Sequence, residues 1–180
     1  MMEKARSLAE REDCYFTNQI YNADIIVGYS KIGSELIQQV DRQIDAFCGG
    51  VRTAGMPMGV SQELRSAYPE VKIVALEPAS TAVISGGRAG SHDVEGIGIG
   101  FHPPLLDGGQ YDEARGIDEK EARRTVQLLA KEEGIFAGTS SGLNVVGALE
   151  LAAELGEGKT VVTVALDTGL KCLAGDLFPV

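Results

Sequence analysis

Asp45-Ala46-Phe47-Cys48-Gly49-Gly50-Val51-Arg52-Thr53-Ala54-Gly55, taken with Val71-Lys72-Ile73-Val74-Ala75-Leu76, decides the architecture of this chain. Asp45 to Cys48 is a short, mostly apolar run stopped by glycines, the pattern of a buried strand. The loop runs to Gly55, Gly59 to Tyr68 resumes helical spacing, and Val71 to Leu76 makes a second strand. Strand, crossover helix and strand in this order predict parallel pairing. The expected class is therefore α/β with a mostly parallel sheet. The turn between strand and helix has its own chemistry. A loop feeding a helix amino terminus points backbone N–H groups at an anion, and glycines let the backbone come close.

Upstream, Glu3 to Glu12 reads as a polar helix with Ala5, Leu8 and Ala9 on one face, followed by the extended run Cys14-Tyr15-Phe16. Ile32, Leu36, Ile37 and Val40 recur at helical spacing over Ser30 to Val40. Downstream, Glu77 to Gly109 is rich in glycine and proline and long for a passive connection. Asp118 caps a helix running to Glu133, with Glu121 completing a capping-box pattern and Ala122, Val126 and Leu129 facing inward. Ile135-Phe136-Ala137 reads as a short buried segment, Gly142 to Leu155 as a helix, and Thr160 to Leu166 as a central strand.

With 180 residues, 44% of them hydrophobic, 23% charged and 6% aromatic, the chain suits one domain, residues 1–180, built on small aliphatics and glycine. A net charge of −10 opposes nucleic acid as a partner. The densest basic spot, Arg123-Arg124, lies among Glu119, Glu121, Glu132 and Glu133 and reads as a solvated helix face. Cys14, Cys48 and Cys172 are far apart and odd in number, which fits reduced thiols in a cytosol. With His92 and His102 unclustered, no metal site is expected. The amino terminus lacks the apolar run of a signal peptide, and no stretch approaches the length of a membrane span. A soluble cytoplasmic protein without a membrane partner is expected.

Val74-Ala75-Leu76-Glu77-Pro78-Ala79, Ser85-Gly86-Gly87, Gly96-Ile97-Gly98-Ile99-Gly100-Phe101-His102-Pro103-Pro104-Leu105-Leu106-Asp107, Glu132-Glu133-Gly134-Ile135-Phe136-Ala137-Gly138-Thr139-Ser140-Ser141-Gly142 and Asp167-Thr168-Gly169 follow one another along nearly the whole chain. In that order they resemble the carboxy-terminal half of the cysteine synthase and cystathionine β-synthase family, the fold type II enzymes that depend on pyridoxal phosphate. The resemblance implies a Rossmann-like three-layer sandwich, the larger cofactor-binding domain of those enzymes. It assigns residues 1–40 to the end of the smaller domain and the junction.

By this resemblance Arg52, Thr53, Ala54, Gly55 and Met56 stand where the cofactor phosphate is held. The family pattern glycine-threonine-glycine-glycine-threonine is kept only at Thr53 and Gly55. Arg52 replaces a glycine and Met56 a threonine, so one point of close approach and one hydroxyl donor are lost. Arg52 either reaches the phosphate as a bidentate donor or fills the pocket. Backbone grounds favour a weakened or rebuilt site, because a non-glycine residue resists positive φ. Ser140 matches the serine that hydrogen-bonds the pyridine nitrogen; without the resemblance, Ser140 or Ser141 reads as a helix cap. A hydroxyl leaves that nitrogen neutral, which suits elimination and replacement at the β-carbon. Gly96 matches a glycine beside the reacting amino group, against the alternative of a flexible turn. Leu166 stands in place of a proline, and His92 and His102 are taken as surface or loop residues.

The resemblance also implies a lysine that binds the cofactor covalently and a loop that binds the substrate carboxylate, and neither segment is found in this chain. Lys4, Lys31, Lys72, Lys120, Lys131, Lys159 and Lys171 all read as solvent-facing, in helices or turns, and none is set up as a nucleophile. Two function classes follow. The first is a cysteine synthase-like domain for β-replacement on an O-activated serine, inactive alone, that holds pyridoxal phosphate weakly and noncovalently. Its partner is a second copy in a homodimer or a complementing chain that supplies the lysine. The second is a non-catalytic interaction or scaffold domain whose phosphate loop has decayed. A nucleotide-binding module is disfavoured, because the turn lacks G-x-G-x-x-G.

Overall fold

The computed structural model describes residues 2–178. In chain order the elements are helices α1 (Met2–Ala9) and α2 (Asp24–Gln39), strand β1 (Ala46–Gly50), helix α3 (Gly55–Ala67), strands β2 (Lys72–Pro78) and β3 (Glu113–Ile117), helices α4 (Glu119–Glu132) and α5 (Thr139–Leu155), and strand β4 (Val161–Val162). Short 3₁₀ turns lie at Ala79–Thr81 and Gly169–Cys172. The strands form one parallel sheet in the order β3-β2-β1-β4.

Alternation along the strands sorts the core into two layers. Ala46, Cys48, Val74 and Leu76 meet Ala122 of α4 and Leu143 and Leu151 of α5 on one face. Phe47 and Ile73 meet Val60 and Leu64 of α3 on the other, with Ile32, Leu36 and Ile37 of α2 packed behind. The result is the expected helix–sheet–helix sandwich. Side chains such as Phe47, Ile73 and Leu143, all with no exposed surface, each contribute about 1.5–3 kcal/mol by burial. Glycines set the closest helix contacts. A Cβ on Gly59 of α3 would lie 2.5 Å from the Ile26 carbonyl oxygen of α2, and one on Gly142 of α5 would lie 2.1 Å from the Ala122 carbonyl oxygen of α4.

Several elements differ from the sequence reading. Helix α2 begins at Asp24, upstream of Ser30, and α3 begins at Gly55, upstream of Gly59. The first turns of both helices pack on each other, which admits Gly55 and Gly59 where propensity alone disfavours them. Strand β3 was not anticipated: its Glu113 and Arg115 are not strand-formers, yet they join Lys72, Glu150 and Glu154 in an ion-pair network along the sheet edge. Lys72 accordingly lies within β2, half-buried and paired with Glu113 at 2.9 Å, instead of in a solvent-facing helix or turn.

Thr160 to Leu166 is no central strand. Only Val161–Val162 pairs, at the sheet edge, because beyond it side chains replace the ladder: the Thr163 hydroxyl donates to the Cys48 carbonyl at 2.7 Å, and Asn144 Nδ2 to the Val164 carbonyl at 2.9 Å. Of Ile135-Phe136-Ala137 only Ala137 is buried. Phe136 lies over Gly169 and against the ring of Phe178, with centroids 4.7 Å apart. Asp118 does cap α4, accepting from the N–H groups of Lys120 at 2.9 Å and Glu121 at 3.1 Å. The Glu121 side chain makes no return bond among the described residues, so the cap is one-sided. No helix among the described residues is long and apolar enough to cross a membrane.

Asp45 ties β4 to β1. Its carboxylate accepts from the Thr160 N–H at 2.9 Å and meets Lys159 Nζ at 2.9 Å. The Thr160 N–H bond, then the Lys159 ammonium, hold its pKa below the usual aspartate value. A depressed folded-state pKa adds stability above the unfolded-state pKa that is lost as pH falls through the folded value. Stability is therefore expected to be flat near neutrality and to fall below about pH 4. Asp45→Asn is expected to lower Tm at pH 7 and to flatten the acid limb, as read by thermal melts across pH; an unchanged acid limb would contradict this role.

Candidate functional site

The chain leaves the carboxyl end of β1 at Gly50, the side of an open parallel sheet where ligand sites gather. Side chains from distant segments fix this exit. Asn144, fully buried in α5, accepts from the Gly50 N–H at 2.7 Å while donating to Val164. The Val51 N–H reaches the Leu76 carbonyl at 2.9 Å, and the Val51 carbonyl accepts from the Gly98 N–H at 3.1 Å. Gly98, at φ +65°, is latched in turn by His92, whose Nε2 donates to its carbonyl at 2.8 Å. Glu77, 1% exposed at the end of β2, folds back the next loop by accepting from the N–H groups of Ile84 at 2.9 Å and Ser85 at 2.7 Å.

These constraints enclose a cavity of about 290 Å³. Arg52, Thr53, Ala54, Gly55, Met56, Gly96 and Ser140 all line it, so the structure brings the residues that the resemblance names for cofactor and substrate to one place. Gln19, Ile25 and Tyr29 line it too, as does a second group, Glu95, Ile97, Leu166 and Asp167. The Thr139 hydroxyl steadies the second group by accepting from the Glu95 N–H at 3.1 Å. Lys171, 3.0 Å from Asp167, holds that carboxyl below the usual range, so it stays ionised. No cluster of three metal-ligating side chains occurs among the described residues.

The loop geometry corrects the expected place of strain. Arg52 is not in the left-handed region; among the described non-glycine residues only Asn18 and Ala54 have positive φ. Ala54, at φ 70° and ψ −5°, is the residue that turns the chain into α3. Its left-handed backbone costs about 1–2 kcal/mol, while its buried methyl returns about 0.8 kcal/mol. Ala54→Gly is therefore expected to change stability by less than about 1 kcal/mol, and Ala54→Val, β-branched in the same conformation, to destabilise by about 2 kcal/mol or more. Urea midpoints of the two variants check this; equal losses would mean that Ala54 is not left-handed in solution.

Among the described residues, no protein acceptor meets the N–H groups of Arg52 through Met56. Pro57 has no N–H to add. Met56, 7% exposed, packs its thioether beside Gly49 and Phe47, and its side chain offers no donor. Gly55 is favoured by packing, since a Cβ there would lie 2.9 Å from the Ile25 side chain. Thr53 and Ser140 are 8% and 5% exposed, and neither hydroxyl has a protein partner among the described residues. Ser140 is no cap: Gly138 holds that position, and Ser141 accepts from the Leu166 N–H at 2.9 Å. Gly96 takes φ +86° and faces open space. His102 is exposed, whereas His92 is the half-buried latch already described. Burial pushes the Cys48 thiol up to about 11, so it is no nucleophile at neutral pH.

The latching roles of Asn144, Glu77 and His92 were not anticipated in the sequence. Asn144 carried a signal, as the lone amide within Leu143-Asn144-Val145-Val146, since a polar residue at a buried helix position needs partners.

A family model described as "Pyridoxal-phosphate dependent enzyme" matches residues 1–167. A cysteine synthase of Staphylococcus aureus (strain N315) is 40% identical over 179 residues, which are 98% of this chain and 58% of that protein. Among solved structures, O-acetyl serine sulfhydrylase isoform 3 from Entamoeba histolytica superposes with a TM-score of 0.91 at 32% identity, covering 98% of this chain and 54% of the other. The O-acetylserine dependent cystathionine beta-synthase from Helicobacter pylori gives 0.92 at 29% identity, covering 99% and 58%. The chain thus spans little more than half the length of these relatives. With the family model matching most of its length and a fold type II sandwich around the loop cavity, the chain belongs to the pyridoxal-phosphate dependent enzymes.

Proposed function

We propose that this chain supplies the phosphate- and ring-holding part of a cysteine synthase-like site for β-replacement on an O-activated serine by a sulfur nucleophile. The observation that carries this reading is the convergence of the 52–56 loop, Gly96 and Ser140 on one cavity. The residues fit the cofactor: unmet N–H donors at a helix amino terminus suit a phosphate, and the Ser140 hydroxyl, unpartnered in the protein and lining the same cavity, suits a ring nitrogen. When bound, pyridoxal phosphate supplies the electron sink for bond breaking in an amino-acid substrate. Thr53 and the first turn of α3 hold the anionic end, Ser140 leaves the ring nitrogen unprotonated, and Gly96 leaves room for the substrate. The lysine and the substrate-carboxylate loop come from elsewhere, and residues 1–40 form the junction toward that part.

In this reading the chain alone makes no cysteine above background from O-acetylserine and sulfide, and a lysine-bearing partner chain restores turnover. Binding is tested with pyridoxine 5′-phosphate, which lacks the aldehyde that would react with surface lysines. Calorimetry is expected to show one saturable site, weakened about fivefold by Ser140→Ala through loss of one hydrogen bond. Absence of saturable binding would favour the scaffold reading, which draws on the loss of the donor at Met56. The free outer edges of β3 and β4 support self-association; a clean monomer by light scattering at high concentration would contradict that part.

A further inference from the structure

We infer that the loop holds its phosphate through the charge of Arg52, in place of the close backbone approach that glycine at this position allows. The inference rests on the cofactor reading above and adds the source of the affinity. Arg11, Arg42, Arg65, Arg115, Arg123 and Arg124 are all ion-paired; of Arg6, Arg52 and Arg88, which have no such partner among the described residues, Arg52 is the one that lines the cavity. In a chain of net charge −10 an unpaired guanidinium at a cavity is not part of a general basic surface.

The other donors show why a charge is needed. Met56 has no hydroxyl, Pro57 has no N–H, and Ala54 adds a methyl beside the backbone, so the loop retains N–H groups and the Thr53 hydroxyl as its neutral donors. Thr53 and Ser140, each more than nine-tenths buried with hydroxyls unpartnered in the protein, show a cavity arranged for a polar ligand independently of the helix terminus. Arg52 pays no backbone penalty for replacing glycine, because its φ is negative. A guanidinium presents a planar fork of N–H donors that matches two phosphate oxygens, which a lysine ammonium cannot reproduce. Glu95 and Asp167 also line the cavity, with Asp167 paired to Lys171 at 3.0 Å, so Arg52 is the one cation among its lining residues.

The test is titration of the full chain with inorganic phosphate, pyridoxine 5′-phosphate and pyridoxine, followed by calorimetry and ³¹P NMR, for wild type, Arg52→Gly and Arg52→Lys. Arg52→Gly restores the residue of the resembling family, yet is expected to weaken both phosphate ligands roughly tenfold or more, the loss of a charge-assisted hydrogen-bond pair. Arg52→Lys falls between, pyridoxine is indifferent to either change, and wild-type phosphate affinity falls with added salt while the Arg52→Gly affinity falls less. Because Arg52 is exposed, unchanged Tm values confirm that the variants are folded. Equal or tighter phosphate binding by Arg52→Gly overturns the inference and leaves the cofactor reading standing. Arg52-dependent binding of inorganic phosphate, with no added affinity for pyridoxine 5′-phosphate, supports the charge clamp and overturns the cofactor reading. No binding of either phosphate overturns both.

Discussion

Asn144→Ala is expected to destabilise the protein by about 3–4 kcal/mol, since each buried polar group left unpaired costs about 1–3 kcal/mol. The side chain has no exposed surface and bonds two backbone groups at once: it accepts from the Gly50 N–H at 2.7 Å and donates to the Val164 carbonyl at 2.9 Å. Both partners lie beyond the end of the β1–β4 ladder, which stops at Phe47 and Val162, so β4 does not replace these bonds. Gly50 is also the last residue of β1 before the loop that leads to α3. The loss should therefore appear twice, as a lower urea midpoint and as weaker pyridoxine 5′-phosphate binding under folding conditions. Asn144→Asp separates the two bonds. It keeps the acceptor for Gly50 but sets a carboxylate against the Val164 carbonyl, so it should be at least as damaging at neutral pH and partly relieved when acid protonates the new group. A loss below about 1 kcal/mol for Asn144→Ala would mean that water satisfies these groups.

Gly142→Ala is expected to cost about 3 kcal/mol, at the upper end of ordinary overpacking. The added Cβ would sit 2.1 Å from the Ala122 carbonyl oxygen and 2.5 Å from Val126 Cγ2. The first obstacle is backbone, so no side-chain rotation relieves it and α4 must move from α5. That movement displaces the first turn of α5, which carries Ser140, so ligand affinity should fall together with stability. Gly108→Ala is the matching control, since a Cβ there meets nothing within 4 Å, and it should shift stability by less than about 0.5 kcal/mol. Similar urea midpoints for Gly142→Ala and Gly108→Ala would contradict the close helix contact.

The sequence made the sheet legible where burial was two-sided. Ala46 to Cys48 and Val71 to Leu76 are short apolar runs because helices cover both faces there. It hid β3, whose Glu113 and Arg115 face an ion-pair network instead of a core. It overstated β4, because the apolar residues after Val162 meet side-chain hydrogen bonds and the cavity wall, not a neighbouring strand. For the candidate site, the family resemblance named the 52–56 loop, Gly96 and Ser140, which the fold brings to one cavity. The left-handed turn at Ala54 was not, since the departure that draws the eye is Arg52 while the backbone reversal falls two residues later. The latches Asn144, Glu77 and His92 act through backbone groups far away in the chain. No local pattern marks such partners.

In the proposed function one cavity gathers the 52–56 loop, Gly96 and Ser140 around one ligand. Amide chemical shifts followed during a pyridoxine 5′-phosphate titration of the ¹⁵N-labelled chain test it most directly. The amides of Thr53 to Met56, Gly96 and Ser140 should move together on a single saturation curve, with pyridoxine alone leaving the 53–56 group still. Shifts confined to other surfaces, or separate curves for the loop and for Ser140, would contradict a shared site.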